Sequence, residues 1–254
     1  MKPSTAPEGT QSIVRALGVL KMFDDDNPTW DLQDLTTATG LNKSTLHRIL
    51  GALEHEGLLE RRDDARYYLG SEMIALGGRA ARVNNLRTVS HPILHKLTNA
   101  TGETTTLEVL RPDTGQGWYM LVIDEVLGKH LVGITQYIGS RLPVHTTSTG
   151  KAILAFTDAD TKKNVITAAK GQLSDYIEQE LTTIRDQRYT IAYGELEAGL
   201  VAIGAPIFDA NDEVRAAISL TGPSVRIKQS DLAALAEHVH AHAAQISHQL
   251  GYRP

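Results

Sequence analysis

The sequence of 254 residues predicts an α+β protein in which a winged helix-turn-helix precedes a domain built on an antiparallel sheet. Two observations carry this prediction. Two helical patterns separated by a glycine, then two short strand patterns, occupy residues 31–69. Beyond residue 100, strand patterns come in pairs joined by turn sequences, with helical patterns between the pairs. A winged helix needs only about 70 residues, so we expect a second domain.

Residues 1–10, MKPSTAPEGT, are predicted to be a flexible tail because they are small, polar and rich in proline. They lack the apolar core of a secretory signal. A first helix follows, in which Ile13, Leu17 and Leu20 share one face. That face is either core or a dimer contact. The pair Asn27-Pro28 then breaks the chain.

The helix-turn-helix is predicted from apolar spacing and from two glycines. Leu32 and Leu35 define a short helix that ends at Gly40, which can adopt the left-handed conformation of a helix stop. A second helix covers residues 43–56, and Gly57 ends it. Its buried stripe consists of Leu46, Ile49, Leu50 and Leu53.

The opposite face of the second helix is small and hydrogen-bonding, which suits the base edges of a major groove about 12 Å wide. Because the first turns of such a helix usually reach the bases, Ser44, Thr45 and Arg48 are the leading contacts. Residues 58–62 and 66–69 are predicted as the two strands of a wing. Its arginines either meet phosphates or are solvated surface charges. The predicted DNA-binding residues are Asn42, Lys43, Ser44, Thr45, His47, Arg48, Arg61, Arg62 and Arg66.

Charge and composition exclude some classes of protein but do not identify a binding partner. The net charge is −5, and residues 11–82 hold nine Lys or Arg against eleven Asp or Glu. Residues 42–50 nevertheless carry Lys43 and Arg48 with no acid. We therefore expect a single domain to bind DNA with modest affinity and tight binding to require a dimer. With 41% hydrophobic residues, 22% charged residues and no long apolar run, the chain is predicted to be globular and cytoplasmic. The absence of cysteine excludes disulfides, thiolate metal sites and a cysteine nucleophile.

The second half of the chain alternates hairpins and helices. Residues 71–90 are predicted as a linker helix, and Pro92, after Ser90, as the first-turn proline of the next helix. Strands at 104–111 and 118–125 form a hairpin around Pro112-Asp113-Thr114-Gly115, and residues 131–135 add a strand. The remaining predicted elements are helices at 150–156, 158–169, 178–188 and 230–250 and a hairpin of strands 201–208 and 214–221.

The order of these elements and several long strings resemble the IclR family of bacterial transcriptional regulators. The strings SIVRALGVLKMF and TGLNKSTLHRILGALEHEGLLER are similar to the family's DNA-binding domain. In the second half, LPVHTTSTGKAILAF, IRDQRYTIAYGELEAGLVAIGAPIFD and AAISLTGP are similar to its effector-binding domain. The resemblance implies domains at 11–70 and 91–254, the latter with a GAF-like or profilin-like fold, and dimers that assemble into tetramers.

The resemblance also implies an effector pocket between the sheet and the helix that follows LPVH. Thr147, Ser148 and Thr149 lie at that predicted helix N-terminus, where a carboxylate is favoured, although Ser148 or Thr149 is equally explained as an N-cap. Ala192 and Ala202 stand where some members have an acid or a cysteine, which favours an aromatic or branched carboxylate. The implied effector-binding residues are Leu131, Leu142, Ser148, Thr149, Gly150, Ala192, Leu200, Ala202, Ser219 and Thr221.

The sequence gives little support to an enzyme or to a metal site. The segment 145–152 departs twice from a phosphate-binding loop, at His145 and at Ala152, and GxSxG and HExxH motifs are absent. His238 and His242 share a helix face and can hold a metal ion, but a solvated polar stripe explains them better. We therefore expect no catalytic residues, no cofactor and no metal. An architectural DNA-binding protein without a ligand is a third possibility, which the size of the second domain disfavours.

Together these observations predict a ligand-responsive regulator, more often a repressor in this family, whose operator binding is modulated by a small carboxylate. Its expected partners are double-stranded DNA, that effector and further copies of the chain as a homodimer or a dimer of dimers, with no membrane. A transcriptional activator of the same family is the main alternative. An enzyme or a metal-binding protein that uses the C-terminal domain is the other.

Overall fold

The structure, a computed structural model, describes residues 7, 9–83, 85–113, 117–130, 133–134, 136–169 and 177–253. The chain divides into two compact units between residues 84 and 85. The first unit contains α1 (Gln11–Leu20), α2 (Leu32–Thr39), α3 (Lys43–His55), β1 (Leu59–Arg61), β2 (Tyr67–Leu69) and α4 (Ser71–Val83). The second contains α5 (Asn85–Thr101), β3 (Thr104–Asp113), β4 (Gly117–Val126), β5 (Arg141–Pro143), α6 (Ser148–Leu154), α7 (Ala159–Ala168), α8 (Ile177–Gln187), β6 (Thr190–Tyr193), β7 (Leu200–Phe208), β8 (Val214–Pro223) and α9 (Leu232–Gln249).

The first unit is the winged helix-turn-helix that the sequence predicts. Gly40 ends α2 with a φ of 66°, and the Asn42 side chain caps α3 by accepting a hydrogen bond from the Thr45 backbone N–H. Strands β1 and β2 pair antiparallel, and Trp30 forms a further bridge to Tyr67. The core of the unit consists of Val19, Phe23, Leu35, Leu46, Leu50, Leu53, Leu59 and Tyr67.

Part of the apolar surface of this unit stays exposed. Ile13 is 60% exposed and Leu17 is 51% exposed, so most of the apolar face of α1 is not core. Helix α4 buries none of its residues, and its Ile74 is 80% exposed. Two helices of the unit therefore keep apolar side chains in solvent, which is uncommon unless another surface covers them.

The second unit is built on a six-stranded antiparallel sheet in the order β5-β4-β3-β8-β7-β6. The two predicted hairpins, β3–β4 and β7–β8, are confirmed, and they meet where β3 pairs with β8. Helices α5 and α9 pack on one face of the sheet, while α6, α7 and α8 pack on the other. Because side chains alternate along each strand, Leu107 and Ile218 face the first helix layer and their neighbours Glu108 and Ser219 face α6.

Several details differ from the sequence prediction. Pro92 does not open a helix but lies inside α5, which begins at Asn85. Leu86 and Val89, upstream of the proline, pack against the same core as the rest of α5, so burial outweighs the missing backbone hydrogen bond. The short strands β5 and β6 were not foreseen. Of the predicted strand 131–135, only residues 133 and 134 are described, and neither is in a strand. Residues 114 and 115 of the predicted turn lie outside the described residues.

No helix in the described part of the chain is long and apolar enough to cross a membrane.

Candidate functional site

Helix α3 presents a polar, exposed surface opposite its buried leucines. Lys43, Ser44, His47 and Arg48 are exposed, and Thr45 is half-buried. The Ser44 hydroxyl donates to Asn42 Oδ1 at 2.9 Å, so the cap and the first turn form one hydrogen-bonded group. The structure thus gathers the residues predicted from α3 on one surface, at the helix end that enters a groove in this class of fold.

The three wing arginines differ in what they contact. The Arg66 guanidinium donates to Oγ1 and to the backbone oxygen of Thr29, at 2.8 and 2.9 Å, and thereby ties β2 to the segment before α2. Arg62 lies 3.8 Å from the ring centroid of Tyr68, and Arg61 is exposed. Arg61 and Arg62 therefore present charge at the wing surface, whereas Arg66 has a structural role as well.

The second unit contains a cavity between the first turn of α6 and the sheet. Its empty volume is about 350 Å³, part of it open to solvent. Strands β3, β6, β7 and β8 form its floor, and the β6–β7 loop closes one side. The lining residues are Glu108, Gln136, Thr146, Thr147, Ser148, Thr149, Ala192, Glu195, Leu196, Leu200, Ala202, Ser219 and Thr221.

Most of the predicted effector residues come together at this cavity. Gly150 follows Thr149 in α6 but does not line the cavity, and Leu142 packs against the buried cluster that includes α6. Leu131 lies outside the described residues. The lining residues that sequence reasoning missed are Glu108, Gln136, Thr146, Glu195 and Leu196. An acid in the middle of a strand that is otherwise buried was the available signal for Glu108. The predicted residues that line the cavity are Ser148, Thr149, Ala192, Leu200, Ala202, Ser219 and Thr221.

Two glycines allow α6 to approach its neighbours closely. A Cβ at Gly150 would lie 2.0 Å from the backbone oxygen of Val144 and 2.6 Å from Thr147 Oγ1. A Cβ at Gly204, on β7, would lie 2.7 Å from the backbone carbon of Ser148. Neither glycine is needed for a left-handed backbone, since neither has a positive φ. Both are needed because backbone occupies the space where a side chain would begin.

Glu108 is the buried polar centre of the cavity. It is 1% exposed, and its two carboxyl oxygens accept hydrogen bonds from Thr106 Oγ1 at 2.7 Å and from Thr149 Oγ1 at 2.5 Å. Burial raises the pKa of Glu108 above its usual value, and the two hydroxyl hydrogen bonds only partly oppose this effect. Ser219 Oγ lies 2.7 Å from Thr106 Oγ1 and 3.2 Å from Thr221 Oγ1, which extends the network along the floor.

The raised pKa predicts a specific pH dependence of stability. The folded chain keeps the Glu108 proton to a higher pH than the unfolded chain does. The free energy of unfolding therefore falls as pH rises from 4.5 through the folded-state pKa, and this contribution is constant above it. Glu108→Gln should remove this slope, which reaches at most about 1.4 kcal/mol per pH unit. Denaturant unfolding at a series of pH values measures it.

The matched control for this prediction is Glu237→Gln, which neutralises an exposed acid on α9. Its free energy of unfolding should follow that of the unmodified protein across the pH range. If Glu108→Gln also follows that curve, the Glu108 carboxyl does not hold its proton more tightly in the folded state, and the prediction is wrong.

A buried lysine ties the β6–β7 loop to the helices. Lys151 on α6 is 1% exposed, and its Nζ lies 2.5 Å from Glu180 Oε1 and 2.7 Å from Glu195 Oε2. Glu180 belongs to α8, and Glu195 lies in the loop that lines the cavity. The position of this side of the cavity therefore depends on an ion-pair cluster.

The rings of the histidine pair on α9 lie side by side, as their spacing on a helix predicts. His238 and His242 have stacked rings 6.5 Å apart, and His242 Nδ1 lies 2.7 Å from the His238 backbone oxygen. Over the described ranges, no group of three or more His, Cys, Asp or Glu residues is arranged to hold a metal ion.

Comparison with known proteins gives matches over nearly the whole chain. The IclR helix-turn-helix domain matches residues 12–63, and the bacterial transcriptional regulator IclR C-terminal domain matches residues 78–248. The chain is 28% identical to HTH-type transcriptional regulator KipR of Bacillus subtilis, over 95% of this chain and 98% of that protein. It is 29% identical to Transcriptional repressor IclR of Escherichia coli, over 88% and 85% of the two chains.

Solved structures give the same result. An IclR transcriptional regulator from Alicyclobacillus acidocaldarius has a TM-score of 0.82 at 26% identity and covers 94% of this chain and 98% of its own. An IclR homolog from Microbacterium hydrocarbonoxydans, complexed with 4-hydroxybenzoate, has a TM-score of 0.79 at 25% identity and covers 94% and 99% of the two chains. The sequence matches and the fold matches therefore point to the same kind of protein for both units.

Proposed function

Since the chain belongs to the IclR family of bacterial transcriptional regulators, we propose that it is a repressor whose operator binding is modulated by a small organic acid. The acid occupies the cavity between α6 and the sheet. The observation that carries this assignment is a pair of buried oxygens at the cavity, Gln136 Oε1 and Thr146 Oγ1, which have no hydrogen-bond partner among the described residues. Buried polar atoms of this kind are normally satisfied. The Thr146 hydroxyl can donate to the carboxylate of an acid, and a hydroxyl group on the same ligand can donate to Gln136 Oε1.

Binding to the operator uses the exposed surface of α3 and the wing. Arg48 and His47 read base edges from α3, while Arg61 and Arg62 contact phosphates. Arg66 contributes to the same surface by holding the wing against the segment before α2. The remaining predicted DNA contacts, Asn42, Lys43, Ser44 and Thr45, lie at the first turn of α3 or its cap.

The class of effector is supported by relatives and by the cavity lining. One solved relative was crystallised with 4-hydroxybenzoate, an aromatic acid. Ala192, Leu200 and Ala202 give this cavity an apolar wall beside its hydroxyl groups, since Ala202 on β7 pairs with Thr221 on β8. Such a wall suits an aromatic or branched acid. Three relatives carry repressor in their names, which supports repression as the sign of regulation.

The active form is a homodimer or a dimer of dimers in the cytoplasm. The exposed apolar residues of α1 and α4, among them Ile13, Leu17 and Ile74, supply a surface that a second copy can cover. Two copies of α3 must span half-sites about 34 Å apart or a multiple of that distance. A rotation transmitted through residues 71–90 changes this spacing, and the effector's preference for one arrangement contributes about 1–3 kcal/mol of coupling.

Arg48→Ala is expected to weaken operator binding by about 5- to 150-fold, because it removes a contact worth about 1–3 kcal/mol. Fluorescence anisotropy on the DNA upstream of the chain's own gene measures the loss. Lys163→Ala removes one exposed positive charge from α7 and should leave the affinity unchanged. Equal loss in both variants would mean that total charge, and not the α3 surface, determines binding.

The coupling between effector and operator is tested on the same DNA. Adding benzoate or 4-hydroxybenzoate should reduce operator protection in a footprint if the acid relieves repression. Increased protection would identify the activator alternative, or a repressor that needs its ligand. Chemical turnover of either acid by the purified protein would contradict the regulator assignment and favour an enzyme.

A further inference from the structure

Four hydroxyl groups at the cavity form a hydrogen-bond network that converges on Glu108. With Glu108 ionised, Thr106 and Thr149 each donate their only hydroxyl proton to its carboxylate. Ser219 must then donate to Thr106, and Thr221 must donate to Ser219. All four hydroxyl protons are directed through this network towards Glu108, so these groups offer the cavity only lone pairs.

This arrangement opposes the binding of a carboxylate beside Glu108. An anion needs hydrogen-bond donors, and it would also lie close to the Glu108 charge. The other charged residue of the lining, Glu195, shares the Lys151 ammonium with Glu180. One ammonium between two carboxylates leaves no surplus positive charge for an anion. No Lys, Arg or His is among the described residues that line the cavity.

One proton on Glu108 reverses this situation. If the Glu108 carboxyl donates to Thr149, the Thr149 hydroxyl proton is released to the cavity. If it donates instead to Thr106, each bond from Thr106 to Thr221 reverses and the Thr221 proton is released. Thr149 and Thr221 both line the cavity, so either route creates one new donor facing a ligand and removes one negative charge.

We infer that a carboxylate effector binds this cavity together with one proton, which the Glu108 carboxyl takes up from solvent. Glu108 then determines which effectors bind, because a carboxylate binds beside it only when one proton is bound as well. The pair behaves like two adjacent carboxyl groups that share one proton. This inference rests on the proposed function, because it assumes that the effector is a carboxylate. Desolvation of Glu108, which favours its protonated form, acts in the same direction.

Isothermal titration calorimetry on the full chain tests the inference with propionate, benzoate and 4-hydroxybenzoate as probes. In buffers of different ionisation enthalpy at one alkaline pH, the heats should report uptake of about one proton per bound acid. The dissociation constant should rise by as much as tenfold per pH unit above the Glu108 pKa of the free protein, and be constant below it.

Glu108→Gln is the decisive variant because its amide always provides both a donor and an acceptor to the two threonines. It should bind the same acids without proton uptake and with an affinity that does not change with pH. Glu195→Gln, at the other acid that lines the cavity, should keep the proton uptake of the unmodified protein.

The outcomes separate this inference from the function on which it rests. Binding of an acid to the unmodified protein with no proton uptake overturns the inference and leaves the carboxylate effector in place. Persistent uptake in Glu108→Gln also overturns it, because another group then takes the proton. If none of the three acids binds to either protein between about pH 6 and about pH 9, the proposed effector class itself is wrong and the inference falls with it.

Discussion

The double variant Glu180→Gln/Glu195→Gln is expected to lose about 3–5 kcal/mol of unfolding free energy, because it leaves the Lys151 ammonium buried without a counter-charge. Lys151 is 1% exposed, whereas the carboxylates are 35% and 37% exposed. The lysine therefore cannot recover its hydration without leaving the interior, but each acid can. Urea unfolding followed by circular dichroism measures the loss.

A third substitution distinguishes an unpaired charge from a general loss of contacts. Adding Lys151→Met to the double variant removes the buried charge and keeps an unbranched apolar side chain, so much of the lost stability should return. If the triple variant is no more stable than the double variant, the destabilisation comes from lost packing in the β6–β7 loop. The single variants should each cost less, since one carboxylate remains with Lys151.

Gly150→Ala should cost about 3 kcal/mol, at the upper end for overpacking. The new methyl would meet the Val144 backbone oxygen and Thr147 Oγ1 at 2.0 and 2.6 Å, and neither can yield without moving the start of α6. Thr147 Oγ1 also accepts the hydrogen bond that caps this helix at the Gly150 N–H. Because Ser148 and Thr149 line the cavity from that turn, acid binding should weaken as well.

Gly51→Ala is the matched control, because this glycine lies in α3 with no atom within 4 Å of the added Cβ. There the same substitution should stabilise the fold by up to about 1 kcal/mol, through the better helix propensity of alanine. Thermal unfolding compares the two variants. Unchanged stability in Gly150→Ala would show that the first turn of α6 can move away from the 143–147 segment at little cost.

Structural features that depend only on residues close together in the chain could be predicted from the sequence. The stop at Gly40, the exposed polar face of α3 and the hairpin formed by β7 and β8 follow from spacing and turn chemistry within a few residues. The position of Pro92 was not, since whether a helix continues past a proline depends on what its flanks bury. Likewise, the sequence does not distinguish Arg66 from the other wing arginines, because its partner Thr29 lies 37 residues away in the chain.

Residue order alone predicts the two-part α+β architecture, the exposed polar surface of α3 and most residues of the cavity wall, because periodicity, turn sequences and family strings depend on residues close together in the chain. It does not predict the hydrogen bonds inside the cavity. Glu108 meets Thr149 across 41 residues, and Thr106 meets Ser219 across 113, so their hydrogen bonds have no local signature. Glu108 accepts these hydrogen bonds because it is buried, and it is buried only when the sheet has folded and α6 covers it.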